Sequence, residues 1–309
     1  MIHTTLAEIE GLVRAAGLDL DALSLIISEA LDEDLGGRGV LPPGTGAGLD
    51  VTSYATIPAA RTARGDFVVR KPGTIAGLPV AAYTVGSVCS PAGDFELTLH
   101  ATDGDRVARG DVLISVTGNA RALLTAERVA LNLITMMSGV ATATRGWVDA
   151  LAGTNTKVRD SRKTLPGLRM LQKYAVRVAG GINHRMSLAD AALIKDNHVI
   201  AAGGVVEAYR AVRQSFPEIP VEVEVTSVEQ ARQVVAAGAS DILLDNMSTD
   251  AMAGIVAELG DRATFEASGG LTLLNAAEVA QTGVNFVAVG AITHSAPALD
   301  IALDFASGN

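Results

Sequence analysis

The sequence predicts an α/β protein in two parts. An N-terminal α+β sandwich domain covers residues 1–139, and an incomplete, open α/β barrel of about six parallel strands covers 140–295, with 296–309 packing back on the first domain. Two observations carry this reading. The first half mixes helical spacing with alternating strand patterns, whereas in the second half short apolar runs alternate with capped helical patterns about 20 residues apart, the length of one βα unit.

Taken in order, LSLIISEALDED (23–34) has the apolar spacing of a helix, with Asp21 and Ser24 as candidate caps. GGRGVLPPGTGAG (36–48) is a Gly/Pro-rich surface loop. DFVVRKPGTIAGLPV and FELTLHATDGDRVARGDVLISVTG alternate apolar and polar residues around Gly-containing turns, which predicts antiparallel hairpins. The second is similar to the hairpin of biotinyl and lipoyl carrier domains. Lys71, the only nearby lysine, lacks the flanking methionines of a biotin site, so the likeness is one of sandwich geometry. ARALLTAERVALNLITMMSGVATA (120–143) is a long helix with Met136 and Met137 in the core.

Six strands follow, in TKVRDSR, ADAALIKDNH, VEVEV, DILLDN, TFEASGG and FVAVGAI. Between the last four lie helical patterns that start at Ser227, Ser248 and Thr272 and stop at Gly238, Gly260 and Gly283. Parallel strands with crossover helices satisfy this pattern.

Composition limits the partners. The chain has 309 residues, 49% hydrophobic and 19% charged, which suits a packed core. Its net charge of −10 and 4% aromatic content argue against nucleic acid. No apolar run reaches the ~20 residues of a membrane span. MIHTTLAEIE lacks a basic region leading into an apolar one, so no secretion signal is expected. Cys89 is the single cysteine, which excludes an intrachain disulfide and fits a cytoplasmic protein.

The charge is unevenly placed. Between Lys157 and Lys195 nine Lys/Arg residues face only Asp160 and Asp190. A basic segment in so acidic a chain points to small anionic ligands. Its centre, DSRKTLPGLR, sets Arg162 and Lys163 beside a tight turn. Each predicted strand ends on a polar group: Arg162 and Lys163, Lys195 with Asp196, Glu224, Asp245, Glu266 with Ser268, and Gly290. Parallel barrels build their sites at this mouth. In VEVEV the period of two turns Glu222 and Glu224 to one face, with Glu224 nearer the mouth and Glu222 suited to a buried pair with a cation. Glu224 and Asp245 suit Mg²⁺ or sugar hydroxyls. SGG (268–270) and VGA (289–291) precede helix starts, where main-chain N–H groups hold phosphate. Arg169, Lys173 and Arg177 recur at helical spacing and read as a solvated helix face. His198 and His294 read as hydrogen-bonded loop residues, and His184 is balanced between a polar core role and ligand contact.

The ordered set DSRKTLPGLR, KYAVRVAGGINHR, LIKDNH, VEVEV, LLDN, EASGG and VGAITHSAPALDI resembles the quinolinate phosphoribosyltransferases, also called nicotinate-nucleotide pyrophosphorylases (carboxylating). The likeness runs from about residue 120 to 305 and, more loosely, over EALDEDLG and DVTSYATIP. It implies transfer of phosphoribose from phosphoribosyl pyrophosphate to quinolinate with decarboxylation, giving nicotinate mononucleotide, pyrophosphate and CO₂, with Mg²⁺. It also implies a homodimer with shared active sites, or a higher oligomer. On this resemblance Arg128 enters the neighbouring subunit's site, and Arg162, His184 and Arg185 surround the quinolinate carboxylates, with Ser161 beside them. Lys163 and Lys195 serve the phosphoribosyl pyrophosphate and the reacting centre. Glu224 and Asp245 serve ribose and metal, and Ser268, Gly269, Gly270, Val289, Gly290 and Ala291 the phosphates. DSRKT stands where DTRKT is commoner, and the 36–48 loop is longer than usual. The competing readings are a ModD-type or nicotinate phosphoribosyltransferase on the same fold, which needs fewer arginines at the pyridine, and a non-catalytic anion-binding protein.

Overall fold

The computed structural model describes residues 5–42 and 45–306. Its elements in chain order are α1 (Leu6–Ala15), α2 (Leu20–Asp34), α3 (Val51–Thr56), β1 (Thr62–Val69), β2 (Gly73–Thr74), α4 (Leu78–Cys89), β3 (Glu96–Leu99), β4 (Arg106–Val107), β5 (Val112–Asn119) and α5 (Ala120–Ala150). There follow β6 (Lys157–Arg159), α6 (Arg169–Val178), β7 (Ala192–Ile194), α7 (Asp196–Ala202), α8 (Val205–Ser215), β8 (Val221–Val225) and α9 (Val228–Ala236). The chain closes with β9 (Asp241–Asp245), α10 (Thr249–Leu259), β10 (Thr264–Ser268), α11 (Ala276–Gln281), β11 (Phe286–Ala288), α12 (Ala291–His294) and β12 (Ile301–Phe305). They form two compact units: residues 1–142, 166–179 and 296–309, and residues 143–165 with 180–295.

The first unit is built on an antiparallel sheet, β12-β1-β5-β3. β1 alternates buried and open residues, with Phe67 and Val69 turned into the core. β3 and β5 form the expected antiparallel pair. The expected hairpin at RKPG does not form. β1 pairs β5 and β12 instead, and Leu78 starts α4, with Pro79 set at the helix start where its missing N–H costs nothing. α1 begins on a capping box between Thr5 and Glu8, and α2 is capped by Asp19 and not by Asp21 or Ser24, the candidates in the sequence pattern. Of the 36–48 loop, Pro43 and Gly44 lie outside the described residues; Arg38 in it pairs with Glu29 at 2.9 Å.

α6 belongs to this unit, and its basic residues do not form one solvated face: Arg177 is exposed and Arg169 half-buried, but Lys173 is not solvated. Lys173 is buried, and the Arg177 guanidinium donates to the Ala16 carbonyl at 2.8 Å. Apolar Leu171, Ala175 and Val176 draw the helix inward and carry Lys173 with them, the stem packing where the head finds a partner.

The second unit holds six parallel strands in the order β6-β11-β10-β9-β8-β7, an open α/β barrel. Val158, Val223, Ile242, Leu244, Phe265 and Val287 are buried apolar residues of these strands, as parallel strands require, while the middle of β10 is the buried Glu266. Ser227 and Ser248 cap α9 and α10, accepting from Gln230 and Ala251 main-chain N–H groups. Gly238 and Gly283 end α9 and α11 with positive φ. Thr272 is not a cap. Its own N–H donates to the Asn275 side chain, which spends residues 271–275 on a turn and delays α11 to Ala276. Gly269 and Gly270 therefore stand at a turn, not at a helix start.

Candidate active site

The C-terminal ends of five of the six strands, β8 excepted, line a cavity of about 540 Å³. β6 delivers Asp160, Ser161, Arg162 and Lys163, and the segment after Ile182, which bridges Arg159, delivers His184 and Arg185. Lys195 follows β7, Asp245 and Asn246 end β9, and Ser268, Gly269 and Gly270 end β10. Val289, Gly290 and Ala291 follow β11, with His294 behind them. Of the residues that the resemblance assigns to the site, all but Arg128 and Glu224 line this cavity. Glu224 joins it through Lys195, whose Nζ lies 2.5 Å from Glu224 Oε2. Arg128 lies on α5 in the first unit, with an exposed side chain 3.5 Å from Glu127.

Backbone geometry explains the glycines. At Gly269, φ is +86° and a Cβ would meet Asn246 Oδ1 at 2.1 Å. At Gly290 a Cβ would meet Lys163 Cδ at 2.9 Å and Ser161 Oγ at 3.3 Å, so the β6 and β11 loops touch only because this residue has no side chain. Thr293 Oγ1 donates to the Lys163 carbonyl at 2.8 Å, and Ser161 Oγ accepts from the Lys163 N–H at 3.1 Å. These bonds fix the turn on which Arg162 and Lys163 stand.

The charges are arranged against themselves. Burial, and after it the positive charge of Arg162, lowers the Arg185 pKa below the usual arginine value. Two guanidinium groups thus repel one another across the cavity wall, an arrangement that an anion between them relieves. Beneath them lies a second layer that sequence reading assigned only in part. Arg159 Nη1 sits 2.9 Å from Glu266 Oε2 and 3.8 Å from Glu222 Oε1, its head stacked 3.6 Å from the Phe286 ring centre. His184 Nε2 lies 2.5 Å from Glu222 Oε2. Glu222 is therefore the buried, cation-paired acid expected of it. Glu266 is 1% exposed, and burial followed by the Glu222 charge pushes its pKa up.

Sequence reading placed Glu266 at a strand end without giving it a role, and missed Asp160 and Asn246 as cavity residues and Arg159 beneath the wall. Asp160 is wholly buried and accepts from the His184 N–H at 2.8 Å and the Asn183 amide at 2.6 Å, contacts across more than 20 residues that no local pattern encodes. Asn246 carries the one available clue, its place directly after Asp245 at the end of an apolar strand. His294, read as structural, both bonds Ser295 and lines the cavity. His198 is not in a loop: it sits in the first turn of α7 and accepts from the Lys195 N–H at 2.9 Å.

Fold and site together define an open α/β barrel that gathers cations, opposed by carboxylates, around a cavity at its mouth suited to a small anionic ligand. Comparison with known proteins makes this specific. Residues 50–138 match the quinolinate phosphoribosyl transferase N-terminal domain, and residues 140–304 the C-terminal domain of the same family. A nicotinate-nucleotide pyrophosphorylase [carboxylating] of Mycobacterium leprae is 50% identical over 289 residues, 93% of this chain and 98% of that protein. A probable enzyme of the same name from Bacillus subtilis is 45% identical over 68% of this chain and 73% of its own. The solved nicotinate-nucleotide pyrophosphorylase of Francisella tularensis superposes with a TM-score of 0.85 at 33% identity, covering 94% of this chain and 98% of its own. The chain belongs to the quinolinate phosphoribosyl transferase family.

Proposed function

We propose that this chain transfers the phosphoribosyl group of phosphoribosyl pyrophosphate to quinolinate and removes the C2 carboxylate, releasing nicotinate mononucleotide, pyrophosphate and CO₂. The observation that carries this reading is the Arg162 and Arg185 pair, a forked cationic wall suited to two adjacent carboxylates. A monocarboxylate such as nicotinate leaves one of these charges unanswered, which disfavours the nicotinate-using alternative. A silent anion binder has no use for the Lys195 and Glu224 pair on neighbouring strands.

In this reading the arginines hold the diacid so that its ring nitrogen faces the ribose C1 carbon. The N–C1 bond forms as the C1–oxygen bond breaks, and pyrophosphate departs with the electron pair. Glu224 and Asp245 orient the ribose hydroxyls, and Lys163 and Lys195 answer the charge released on the phosphates. The C2–carboxylate bond then breaks, CO₂ leaves, and the electron pair stays on C2 beside the cationic nitrogen until a proton replaces the carboxylate.

The donor chemistry fits a hard divalent cation. Asp245 lines the cavity, and Glu224 stands on the adjacent strand with one oxygen engaged by Lys195. Mg²⁺ takes one or two carboxylates and completes its shell with water and phosphate oxygens. Asp245 would hold it directly and Glu224 through water or substrate, and when bound it would supply neutralisation of the pyrophosphate charge.

The exposed Arg128 supports a homodimer in which this side chain serves the site of the second subunit. Among the described residues no helix is long and apolar enough to cross a membrane, and a cytoplasmic location suits the single cysteine and these substrates. Pyrophosphate release measured with quinolinate and with nicotinate tests the reading. Turnover confined to quinolinate supports it, and a preference for nicotinate overturns it.

A further inference from the structure

His184 faces the cavity, yet both of its ring nitrogens are engaged by the protein. The main-chain N–H of Arg185 donates to Nδ1 at 2.7 Å, so Nδ1 carries no proton. The ring proton therefore resides on Nε2, which is held by Glu222 Oε2 at 2.5 Å. In this arrangement neither nitrogen offers a hydrogen bond to a ligand. What the ring does instead is tie the position of Arg185 to a buried acid on β8.

The acid is itself held. Glu222 lies 3.8 Å from Arg159 Nη1, and that guanidinium is fixed by Glu266 at 2.9 Å and by the Phe286 ring. Glu266 Oε1 is buried without a hydrogen-bond partner, 3.8 Å from His184 Nε2. The ligating atoms of His184, Glu222 and Glu266 lie within 4.8 Å of one another, as they would around a metal ion. Arg159 already occupies the cation position of that cluster, at contact distance from one acid and near the other, so its logic is that of an ion-paired brace. The segment is pinned from its other side as well: Asp160 accepts from the His184 N–H, and the Arg185 guanidinium donates to the Ala191 carbonyl at 3.0 Å.

We propose that Glu222, Arg159 and Glu266 are positioning residues for the diacid site, holding His184 in its Nε2–H tautomer so that Nδ1 anchors the main chain of Arg185 and sets its guanidinium opposite Arg162. The brace explains why Arg159 and Glu222 sit beneath a cavity that already has its ligand-facing cations, with Glu266 reaching its wall. An imidazole free to take the other tautomer would turn a proton toward the Arg185 N–H, and two donors facing each other push the Arg185 segment away. The proposal rests on the diacid reading of the cavity, and its test separates the two.

The first arm needs no turnover. ¹⁵N NMR of histidine-labelled protein, with the His184 signals assigned by their loss in His184→Gln, is expected to show Nδ1 unprotonated and Nε2 protonated across neutral pH. An Nδ1–H tautomer in the wild type overturns the brace, whatever the enzyme catalyses. The second arm is kinetic. Glu222→Leu is expected to raise KM for quinolinate about 10-fold, the order expected for one lost charge-assisted hydrogen bond, with KM for phosphoribosyl pyrophosphate within about twofold. Glu222→Gln keeps an acceptor for Nε2–H and is expected to recover most of that loss, together with the wild-type ¹⁵N pattern. Equal defects in the Leu and Gln variants, or equal rises in both KM values, overturn the positioning role. Absence of quinolinate turnover in a wild type that shows the expected tautomer would instead refute the substrate assignment and leave the brace standing.

Discussion

Replacing Arg162 by Ala is expected to move activity and stability in opposite directions. Without ligand, Arg162 faces Arg185 closely enough that its charge, second to burial, depresses the Arg185 pKa. Like charges in a half-exposed site repel by ~0.5–1 kcal/mol once solvent screening is allowed for. Removing one of them should raise Tm of the ligand-free protein by ~1–3 °C. With the diacid bound the sign reverses. Truncating one partner of a desolvated charge pair costs about 3–5 kcal/mol, which is ~2–4 decades in kcat/KM. Arg162→Lys keeps the charge and loses the fork, and should fall between wild type and Ala. The assay is steady-state turnover of quinolinate at saturating phosphoribosyl pyrophosphate, alongside thermal melts of the ligand-free proteins. An Ala variant within about threefold of wild-type kcat/KM would remove Arg162 from the site and refute the reasoning.

Other outcomes follow from the same geometry. Burial lifts Glu266 from an ordinary 4.5 to about 7, so between these values the folded state binds more protons than the unfolded state. Its contribution is fully present below pH 4.5 and is lost as pH rises through 7. Melts from pH 4.5 to 8 should therefore show a downward slope in Tm that flattens in Glu266→Gln, and an unchanged slope would contradict the shift. Asp103, whose pKa burial also raises, is common to both proteins and cancels in the comparison. Gly290→Val places side-chain atoms where Lys163 Cδ and Ser161 Oγ already sit, and should cost ~1–3 kcal/mol of stability and at least ~10-fold in kcat/KM through the displaced lysine; normal kinetics would show that the loop contact is dispensable. Mixing inactive Arg128→Ala and Lys195→Ala proteins and re-forming the dimer should restore part of the activity, read as pyrophosphate release. A verified heterodimer without recovery would argue against the shared site.

How far the sequence could be read depended on the range of each interaction. Ser227 and Ser248 cap their helices because a cap acts within three residues, inside the reach of a local pattern. Thr272 misled because the deciding bond runs from its own N–H to Asn275, so the same spacing encodes a turn. VEVEV announced two inward acids by period alone, and both are inward, one on Arg159 and His184 and one on Lys195. The partner of the first, Arg159, was not legible. It sits inside a three-residue strand, too short for alternation to show a face, and its contacts with Glu222 and Glu266 span separations of 63 and 107 residues. Lys173 was misread for the opposite reason: helical spacing of Arg169, Lys173 and Arg177 marks one face of α6 but does not say what that face meets.

The central claim is that the paired arginines hold a pyridine diacid whose C2 carboxylate is lost after the sugar is attached. Quinolinate labelled with ¹³C in its C2 carboxylate, supplied with phosphoribosyl pyrophosphate and Mg²⁺, tests it most directly. The account predicts one labelled CO₂ and one pyrophosphate for each nicotinate mononucleotide formed. Pyrophosphate released without labelled CO₂, or a mononucleotide that retains the label, would contradict it.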